Sequence, residues 1–416
     1  MGRETVKHHV SEILSKLGVG SREEAARWEP ERRQWWSLAG PLTVAKAAGA
    51  AVVAAAIVGL GVLAWGVLSA GGGSDVDPLA GVEGEIAYEH EQEIWIANAD
   101  GSGARKLDLP QCGGELWCYV LNWSPDGNKL AFISAVPGLG VVGNVYAFDL
   151  KAEVVTEIAD YRFDDVGDAC EGGSTYWGWS PDGSSYAYSV DSFPRADFVG
   201  RVRLANINDT NAADDTVVHE AITAPSWSSD GVRFAYAGPA RSGDEYIVIR
   251  CQDPQIYVGD SSEPGEWLTA GSSPAWSPVD NEIVFLGSDV EGSPRGWREL
   301  RLISSDGTGE RVIGGSDLFR GPLSWSPDGS QVLARSLRGI LVIDKVSGQA
   351  VTIGDDTFGD SRGEAGWSPD GKFVAFTVGS RGMTYAESIY IIAADGTTDP
   401  VKLVDGSSAA WRVPPG

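Results

Sequence analysis

The stretch Trp325-Ser-Pro-Asp-Gly329 is one copy of a five-residue motif that recurs through the chain. Four copies read WSPDG, one reads Trp227-Ser-Ser-Asp-Gly231 and one reads Trp276-Ser-Pro-Val-Asp280. In a full copy, proline presets φ for the first turn position, aspartate can bond the backbone two residues on, and glycine accepts a positive φ. Each copy therefore predicts a tight chain reversal. The tryptophans of the series are Trp123, Trp179, Trp227, Trp276, Trp325, Trp367 and, without the turn, Trp411.

Alternating, β-rich residues follow every copy, as in Lys129-Leu-Ala-Phe-Ile133 and Lys372-Phe-Val-Ala-Phe376. This pattern predicts strands with one buried face. The copies lie 42 to 56 residues apart, which suits one four-stranded blade per copy and indicates a β-propeller rather than a helical solenoid. We expect the tryptophans to pack between neighbouring blades.

A second hairpin closes each predicted unit. The seven hairpins cover 94–107, 145–158, 202–218, 246–258, 300–313, 340–353 and 389–403. Only six turn motifs accompany them, because the first hairpin region, from Glu85, has no tryptophan strand of its own. The strand Ala409-Ala-Trp-Arg412 supplies one. The sequence therefore predicts an all-β, seven-bladed propeller whose C-terminal strand completes the first blade and removes the free sheet edges.

The W-S-P-D-G core, a following strand and a hairpin with an A-D-G-[ST] turn together resemble the TolB-like family of WD40-like propeller repeats. The resemblance covers roughly residues 84–412, about four fifths of the chain. It implies a propeller fold and the binding of a partner. It does not imply the particular role of TolB.

Acidic residues dominate the predicted propeller. The chain has 416 residues and a net charge of −26, while residues 1–46 carry 8 Lys or Arg against 6 acids, which leaves 24 against 52 for the remainder. Such a surface repels nucleic acid and anionic lipid headgroups and can attract cations or basic partners. A solvated acidic surface that keeps the protein soluble explains the same composition.

Residues 47–68, AAGAAVVAAAIVGLGVLAWGVL, contain no charge and are numerous enough to cross a bilayer as a helix. Arg27, Arg32, Arg33 and Lys46 precede this stretch, and Asp75 and Asp77 follow it. The positive-inside rule therefore predicts a cell-membrane protein with a cytoplasmic segment at 1–46, a transmembrane helix at 47–68, a linker at 69–83 and an extracytoplasmic propeller at 84–416.

All four cysteines, Cys112, Cys118, Cys170 and Cys251, lie in the predicted exterior domain. An even number outside the membrane permits two disulfides, in any of three pairings, although buried free thiols are an alternative. No CxxC spacing occurs and only His90 and His219 accompany the cysteines, so we expect no metal site and no cofactor.

The segment TVKHHVSEILSKLGVGSREEAA, from Thr5 to Ala26, has the pattern of two short helices joined by a tight corner. Residues 4–28 closely resemble the C-terminal half of a LuxR-type helix-turn-helix domain. By that resemblance Thr5, Lys7 and His9 match positions that face DNA or its phosphates, and His8 stands where the family often has Asn. The family's first two helices are not in this sequence, so we expect DNA binding only if the head is completed upstream or by a partner.

No set of catalytic residues stands out in the sequence. We therefore predict a membrane-anchored, non-catalytic binding, scaffold or sensing module that takes a protein, small-molecule or glycan ligand at a face of the propeller channel. One alternative is a transmembrane one-component transcription regulator with the LuxR-type head. Another is a propeller enzyme acting on glycans or peptides, which would need acids, His or Arg converging on the channel.

Overall fold

The structure is a computed structural model, and its described part is built from strands and turns. It describes residues 79, 81–136, 141–163, 177–191, 200–207, 216–221, 225–239, 241–242, 245–246, 254–260, 265–289, 298–354, 365–379 and 387–414. The predicted head and membrane span and two cysteines, Cys170 and Cys251, lie outside these residues. Within the described ranges no helix has the length and apolar character needed to cross a bilayer. The all-β prediction is confirmed for this part of the chain.

Short antiparallel strands succeed one another along the described chain. In chain order they are β1 (Glu85–His90), β2 (Glu93–Asn98), β3 (Arg105–Lys106), β4 (Trp117–Trp123), β5 (Lys129–Val136), β6 (Val141–Asp149), β7 (Val154–Phe163), β8 (Trp177–Trp179), β9 (Ser185–Asp191), β10 (Gly200–Asn206), β11 (Thr216–Ala221), β12 (Ser226–Trp227), β13 (Phe234–Gly238), β14 (Arg241–Ser242), β15 (Glu245–Tyr246), β16 (Gln255–Gly259), β17 (Glu266–Ala270), β18 (Ser272–Trp276), β19 (Glu282–Asp289), β20 (Arg298–Ser304), β21 (Arg311–Ile313), β22 (Phe319–Trp325), β23 (Gln331–Ser336), β24 (Gly339–Asp344), β25 (Ala350–Gly354), β26 (Gly366–Trp367), β27 (Phe373–Gly379), β28 (Glu387–Ala393), β29 (Val401–Asp405) and β30 (Ser407–Arg412).

Four-stranded units repeat in the order strand, motif turn, strand, hairpin. Four of the four-stranded sheets are β4-β5-β6-β7, β8-β9-β10-β11, β12-β13-β16-β17 and β26-β27-β28-β29. A fifth, β30-β1-β2-β3, combines the last strand of the chain with the first three. The strands from β18 to β25 form one eight-stranded sheet, in which the pair Arg298 and Phe319 joins β20 to β22. In every unit the tryptophan strand pairs with the strand after its turn, as Trp123 does with Leu130 and Trp325 with Val332.

The end of the chain pairs with the first strand of the repeat region. In the antiparallel register of β1 and β30, Trp411 lies opposite Ile86 and Arg412 opposite Glu85, which confirms the predicted strand pairing. The tryptophan strands also lie beside one another in space, in the order of the chain: β4 lies beside β8, β8 beside β12, β12 beside β18, β18 beside β22, β22 beside β26, β26 beside β30, and β30 beside β4. These neighbours form a closed circle.

The strands after the motif turns are buried on both faces, so the prediction of one buried face is wrong. In β5, Leu130 and Phe132 pack with Ile94 of the first sheet, whereas Ala131 and Ile133 belong to the core cluster of the next unit. Because each sheet stands between two neighbours, its inner strands meet an apolar surface on either side. The core therefore consists of layers between sheets.

The predicted hairpin at 246–258 is wrong, whereas the other six predicted hairpins are present. The third and fourth strands of the Trp227 unit are β16 and β17, which cover 255–270. Tyr257 lies opposite Tyr236 in the register with β13, and its buried ring stacks on that of Tyr236. The stacked rings accompany this strand pairing, and among the described residues between β13 and β16 lies the small hairpin β14-β15.

The last part of the predicted linker is attached to the closing sheets. Leu79 and Val82 pack against a cluster that contains Ile86 and Trp411, and Val82 N donates to Leu79 O (3.0 Å).

Candidate binding surfaces at the two ends of the strands

Antiparallel pairing divides the connections between two ends of the strands. The motif turns and the hairpin turns between third and fourth strands lie at one end, which we call the turn end. The remaining connections lie at the opposite end, which we call the loop end. Turn-end connections range from the four residues of 150–153 to the nine of 207–215, and loop-end connections range from one residue, Gly271, to the sixteen residues of 239–254. Variation in length at one end of a regular scaffold is typical of a binding face.

A buried serine organises each full motif turn. In the WSSDG copy, Ser228 Oγ donates to Asp230 Oδ1 (2.6 Å) and accepts from Arg233 N (2.9 Å). The serine is 1% exposed, so both bonds are made away from water. The same pair of bonds occurs in the turns of Ser124, Ser180, Ser326 and Ser368. The motif therefore caps itself with its own side chains.

These bonds lower the pKa values of the turn aspartates, which are ionised near neutral pH. The hydroxyl of Ser180 and the backbone N–H of Ser184 hold the pKa of Asp182 below its ordinary value. Hydrogen bonds from the serine and from a backbone N–H likewise lower the pKa of Asp230 and of Asp328. The turn end consequently presents a series of negative charges near neutral pH.

Indole N–H groups link most units to the one before. Trp325 Nε1 donates to the carbonyl oxygen of Ala275 (2.9 Å), which directly precedes the tryptophan of the preceding unit. Equivalent bonds of 3.1 to 3.2 Å join Trp227 to Gly178, Trp367 to Ser324, Trp411 to Gly366 and Trp123 to Ala410. The bond from Trp123 to Ala410 crosses the junction between the two ends of the chain. These indoles therefore tie neighbouring sheets together at a constant spacing.

Two tryptophans depart from this pattern. Trp179 Nε1 is buried and has no hydrogen-bond partner in the described structure. Its ring instead meets Tyr186 edge-on, and the Tyr186 hydroxyl donates to Asn122 Oδ1 (3.2 Å). Trp276 Nε1 donates to Asp280 O (3.2 Å) of its own turn. Other bonds join the units at these two places, from the Tyr186 hydroxyl to Asn122 and from Trp276 N to Ser226 Oγ (2.8 Å).

Glycines of the motif turns sit against the preceding turn. Gly231 and Gly371 have φ values of 70° and 71°, and a Cβ on either would lie 3.3 or 3.5 Å from a ring carbon of Pro181 or Pro327. At the chain junction, a Cβ on Gly127 would overlap the carbonyl oxygen of Val413. Glycine is therefore favoured by the positive φ at all three positions, and at Gly127 it is also required by the close approach of Val413.

Arg412 reinforces the chain junction from the last strand. Its guanidinium bonds the Glu85 carboxylate, donates through Nε to Gly127 O (2.7 Å) and lies 5.1 Å from the ring centre of Trp123. One side chain thus contacts the first strand of the repeat region, the next motif turn and the next tryptophan.

The described part of the loop end contains a disulfide and several buried polar groups. Cys112 and Cys118 are bonded, one of the pairings that the sequence left open. The same short loop joins two sheets, since Cys118 N donates to Gln92 O (3.2 Å). Arg298 is 5% exposed and donates to the Ser272 hydroxyl. These contacts anchor the loop end to the strands beneath it.

In the WSPVD turn, a lysine of the next unit binds the turn aspartate, Asp280. Lys345 of the Trp325 unit binds Asp280 Oδ2 (2.6 Å) and Glu282 Oε2 (2.8 Å) and lies 5.5 Å from the ring centre of Trp325. Ser277 accepts only long contacts, from Val279 N (3.4 Å) and Asp280 N (3.3 Å). Lys345 was missed in the sequence because 65 residues separate it from Asp280.

The described structure brings together only some of the predicted site residues. The seven motif tryptophans lie at the boundaries between units, whereas Thr5, Lys7, His8 and His9 lie outside the described ranges. In the described chain, no three His, Cys, Asp or Glu side chains are grouped as metal ligands.

Repeated antiparallel sheets, a recurrent turn and a closed circle of tryptophan strands define the class of the fold as a β-propeller. No model of a known protein family matches the chain. An uncharacterised protein of Agrobacterium fabrum is 28% identical over 166 residues, which are 38% of this chain and 53% of that protein. The chain thus spans about half the length of the curated relative it matches.

Solved structures share the fold at low sequence identity. Oligogalacturonate lyase in complex with manganese is 16% identical, with a TM-score of 0.51 over 78% of this chain and 86% of the lyase chain. TolB from Acinetobacter baumannii is also 16% identical, with a TM-score of 0.44 over 79% of this chain and 66% of TolB. At such identity the lyase likeness speaks for the fold and not for the activity.

Proposed function

We propose that the chain is a membrane-anchored, extracytoplasmic β-propeller of seven blades that acts as a non-catalytic binding, scaffold or sensing module. The observation that carries the proposal is the contrast between its ends. Motif turns that share the same serine and aspartate bonds, and units that are joined by indole bonds, build a regular scaffold, while connections at the loop end vary from one to sixteen residues. Rigid scaffolds with variable loops are well suited to binding.

The circle of tryptophan strands supports a count of seven blades. Seven such strands neighbour one another in order, and the eight-stranded sheet then corresponds to two blades joined by one residue pair. The repeated WSPDG sequence supports the same count. A high-resolution reconstruction of the purified protein tests it, and six or eight blades would contradict it.

Anchoring and orientation rest on the apolar stretch 47–68 and on the basic residues before it. The disulfide between Cys112 and Cys118 is compatible with an oxidising exterior. A membrane-impermeant thiol reagent, applied to intact cells after mild reduction, is expected to label the propeller. Labelling that appears only after lysis would place the propeller inside and refute the orientation.

Binding is tested with the full-length chain, solubilised from its own membrane and captured by affinity. We expect a specific protein, small molecule or glycan to be retained at a face of the propeller. Variants with shortened loop-end connections should then lose that ligand. Turnover of the ligand by the purified chain would show an enzyme instead. The regulator hypothesis stays a prediction, and sequence-specific DNA binding by the full-length chain would support it.

A further inference from the structure

Two arginines face each other across the first two strands of the Trp325 unit, at the loop end. In the antiparallel register of β22 and β23, Arg320 lies directly opposite Arg335. Strand β22 begins and β23 ends at the loop end, so the pair lies at the end where connections of variable length support ligand binding. We infer that Arg320 and Arg335 bind an oxyanion, the carboxylate or phosphate group of a small ligand. The inference deepens the proposed binding function and rests on it.

Both arginine side chains lie on the same face of their sheet. Residues directly opposite each other in an antiparallel pair have Cβ atoms about 4.5 to 5.5 Å apart on one face. Leu333, two residues before Arg335, packs in the core cluster that contains Trp367, so the arginine pair is on the side of the Trp367 unit. Arg320 is exposed and Arg335 is half-buried, which makes the pair accessible from solvent.

Two positive charges in this position do not favour the fold. Like charges directly opposite each other in a sheet are destabilising. The chain has 58 Asp and Glu against 32 Lys and Arg, so acidic partners are the more abundant choice for a cross-strand neighbour of Arg335. A pair of residues that opposes a local rule without a gain for the fold points to a requirement of function.

The described acids beside this pair are bonded to other arginines. Asp317 bonds Arg338, and Glu299 Oε2 binds Arg301 Nη2 (2.9 Å). Arg298, which is 5% exposed, adds a further positive charge, because it lies opposite the first residue of β22 and an arginine stays protonated. Among the described residues of this region, positive charge therefore exceeds negative charge, although the propeller as a whole is acidic.

Strand β22 departs from the other tryptophan strands directly after Arg320. Three of its residues, 321–323, face the single residue Ala334 of β23 before pairing resumes, which is an excess of two. The corresponding irregularities in β4, β18 and β30 have an excess of one residue each. Gly321 has a φ of 81° in this bulge, and Pro322 is exposed. Bulges of this kind reorient side chains and are frequent beside functional sites.

The guanidinium group decides the chemistry of the ligand. Its planar fork of N–H donors matches the two oxygens of a carboxylate or phosphate and has no acceptor for a donor group. Arg320 and Arg335 also have contacts within the protein. Because each guanidinium has five N–H donors, it can hold a protein partner and a ligand oxygen together.

The acidic surface limits the size of this anion. The chain has a net charge of −26, and a nucleic acid, an acidic protein or an anionic membrane would meet that charge over a wide contact area. Screening confines the field of an exposed charge to about 8 Å at physiological salt, so a small anion meets chiefly the arginine pair. The site therefore suits a small carboxylate- or phosphate-bearing molecule and not a polyanion.

Binding is measured with the full-length chain in neutral detergent micelles, with citrate or inorganic phosphate as the probe. Broadening of the citrate ¹H and phosphate ³¹P signals during a titration gives each dissociation constant. R320Q/R335Q should weaken binding of the preferred probe by about tenfold or more. R320K/R335K keeps both charges but loses the planar forks, so its loss should be smaller. The matched control R105Q/R311Q removes two exposed arginines outside the loop end and should change binding by less than about twofold.

The two probes also distinguish the two sources of the oxyanion. Tighter binding of citrate assigns a carboxylate ligand, and tighter binding of phosphate assigns a phosphorylated one. Equal losses in R320Q/R335Q and R105Q/R311Q would show a general effect of net charge and overturn the inference. Unchanged affinity in R320Q/R335Q would overturn it as well.

Affinity capture of the full-length chain from its own membrane separates this inference from the proposed function. We expect the retained ligand to be displaced by the preferred probe and to be lost in R320Q/R335Q. A retained ligand that responds to neither the probe nor the variant overturns the arginine site and leaves the binding module intact. Absence of a retained ligand together with absence of probe binding refutes both.

Discussion

In the turn at 326–330 the capping groups come from inside the turn, whereas in the turn at 277–281 they come from the neighbouring unit. Ser326 binds Asp328 at 2.6 Å in the first case, and Lys345 binds Asp280 at the same distance in the second. Two of five motif residues differ, and the turn keeps the bond from Ser277 N to Glu282 O (2.8 Å), whereas Asp280 lacks the positive φ that Gly329 has at the same position. A repeat protein can thus replace hydrogen bonds within a turn by a contact between repeats. The WSPVD turn at 277–281 therefore depends on the unit that supplies Lys345.

The largest expected effect concerns two full motif turns that differ only in their surroundings. Gly127 and Gly183 both have φ of 67°, but a Cβ on Gly127 meets the carbonyl oxygen of Val413, whereas the nearest atom to a Cβ on Gly183 is 3.8 Å away. Gly183→Ala should lower the free energy of unfolding by about 1 to 2 kcal/mol through backbone strain alone. Gly127→Ala should lower it by about 3 kcal/mol or more, because the chain junction must also shift.

Urea denaturation of both variants measures this difference. Gly127→Ala should also raise proteolysis at the C-terminus, since β30 is loosened, and Gly183→Ala should not. Equal losses of stability in the two variants would mean that the contact with Val413 does not hold the junction.

Serine to alanine substitutions compare the two kinds of turn directly. Ser326→Ala removes a buried hydroxyl that donates to Asp328 and accepts from Gln331 N (2.9 Å), so we expect a loss of about 1 to 3 kcal/mol. Ser277→Ala removes contacts of 3.3 to 3.4 Å from backbone N–H groups and a hydrogen bond to Asp280 that Lys345 still supports, so it should cost about 1 kcal/mol less than Ser326→Ala. Thermal and urea unfolding give both values. A larger loss for Ser277→Ala would contradict the idea that this turn is capped from outside.

Tryptophan to phenylalanine substitutions test the bonds between units. Trp325→Phe removes a bond of 2.9 Å to Ala275 O, whereas Trp179→Phe removes an N–H that has no acceptor in the described structure. Each change also alters packing, so the difference between the two losses of stability is the informative quantity. We expect Trp325→Phe to cost about 1 kcal/mol more. If Trp179→Phe is the more destabilising, its indole has an acceptor under solution conditions.

The sequence predicted features that repeat and missed features that arise between repeats. Spacing of the motif located the tryptophan strands and the pairing of Trp411 with the first sheet. Alternation along 129–133 did not reveal burial on both faces, because small residues such as Ala131 fit against a neighbouring sheet as well as large ones do. The contact of Lys345 with Asp280 gave no local signal, because 65 residues separate the two.

The smallest expected effect is a difference in how two turn aspartates titrate. The Ser326 hydroxyl, followed by the backbone N–H of Ser330, lowers the pKa of Asp328. Burial raises the pKa of Asp280, but the hydrogen bonds from Lys345 and Ser277 outweigh it and the net shift is downward. Because the folded pKa lies below the unfolded value near 3.9, each carboxylate stabilises the fold above about pH 4. That contribution is lost as pH falls through the folded pKa.

The two turns should respond to different substitutions. Ser326→Ala is expected to raise the pKa of Asp328 and leave Asp280 unchanged, whereas Lys345→Met should raise the pKa of Asp280 and leave Asp328 unchanged. Salt should weaken the effect of Lys345 more than that of Ser326, since an ion pair is screened and a neutral hydroxyl is not. Carboxyl carbon chemical shifts, followed by NMR against pH at low and high salt, report both groups at once. A changed pKa of Asp328 in Lys345→Met would show that the turn at 326–330 also depends on a neighbouring unit. The distinction between the two turns would then fail.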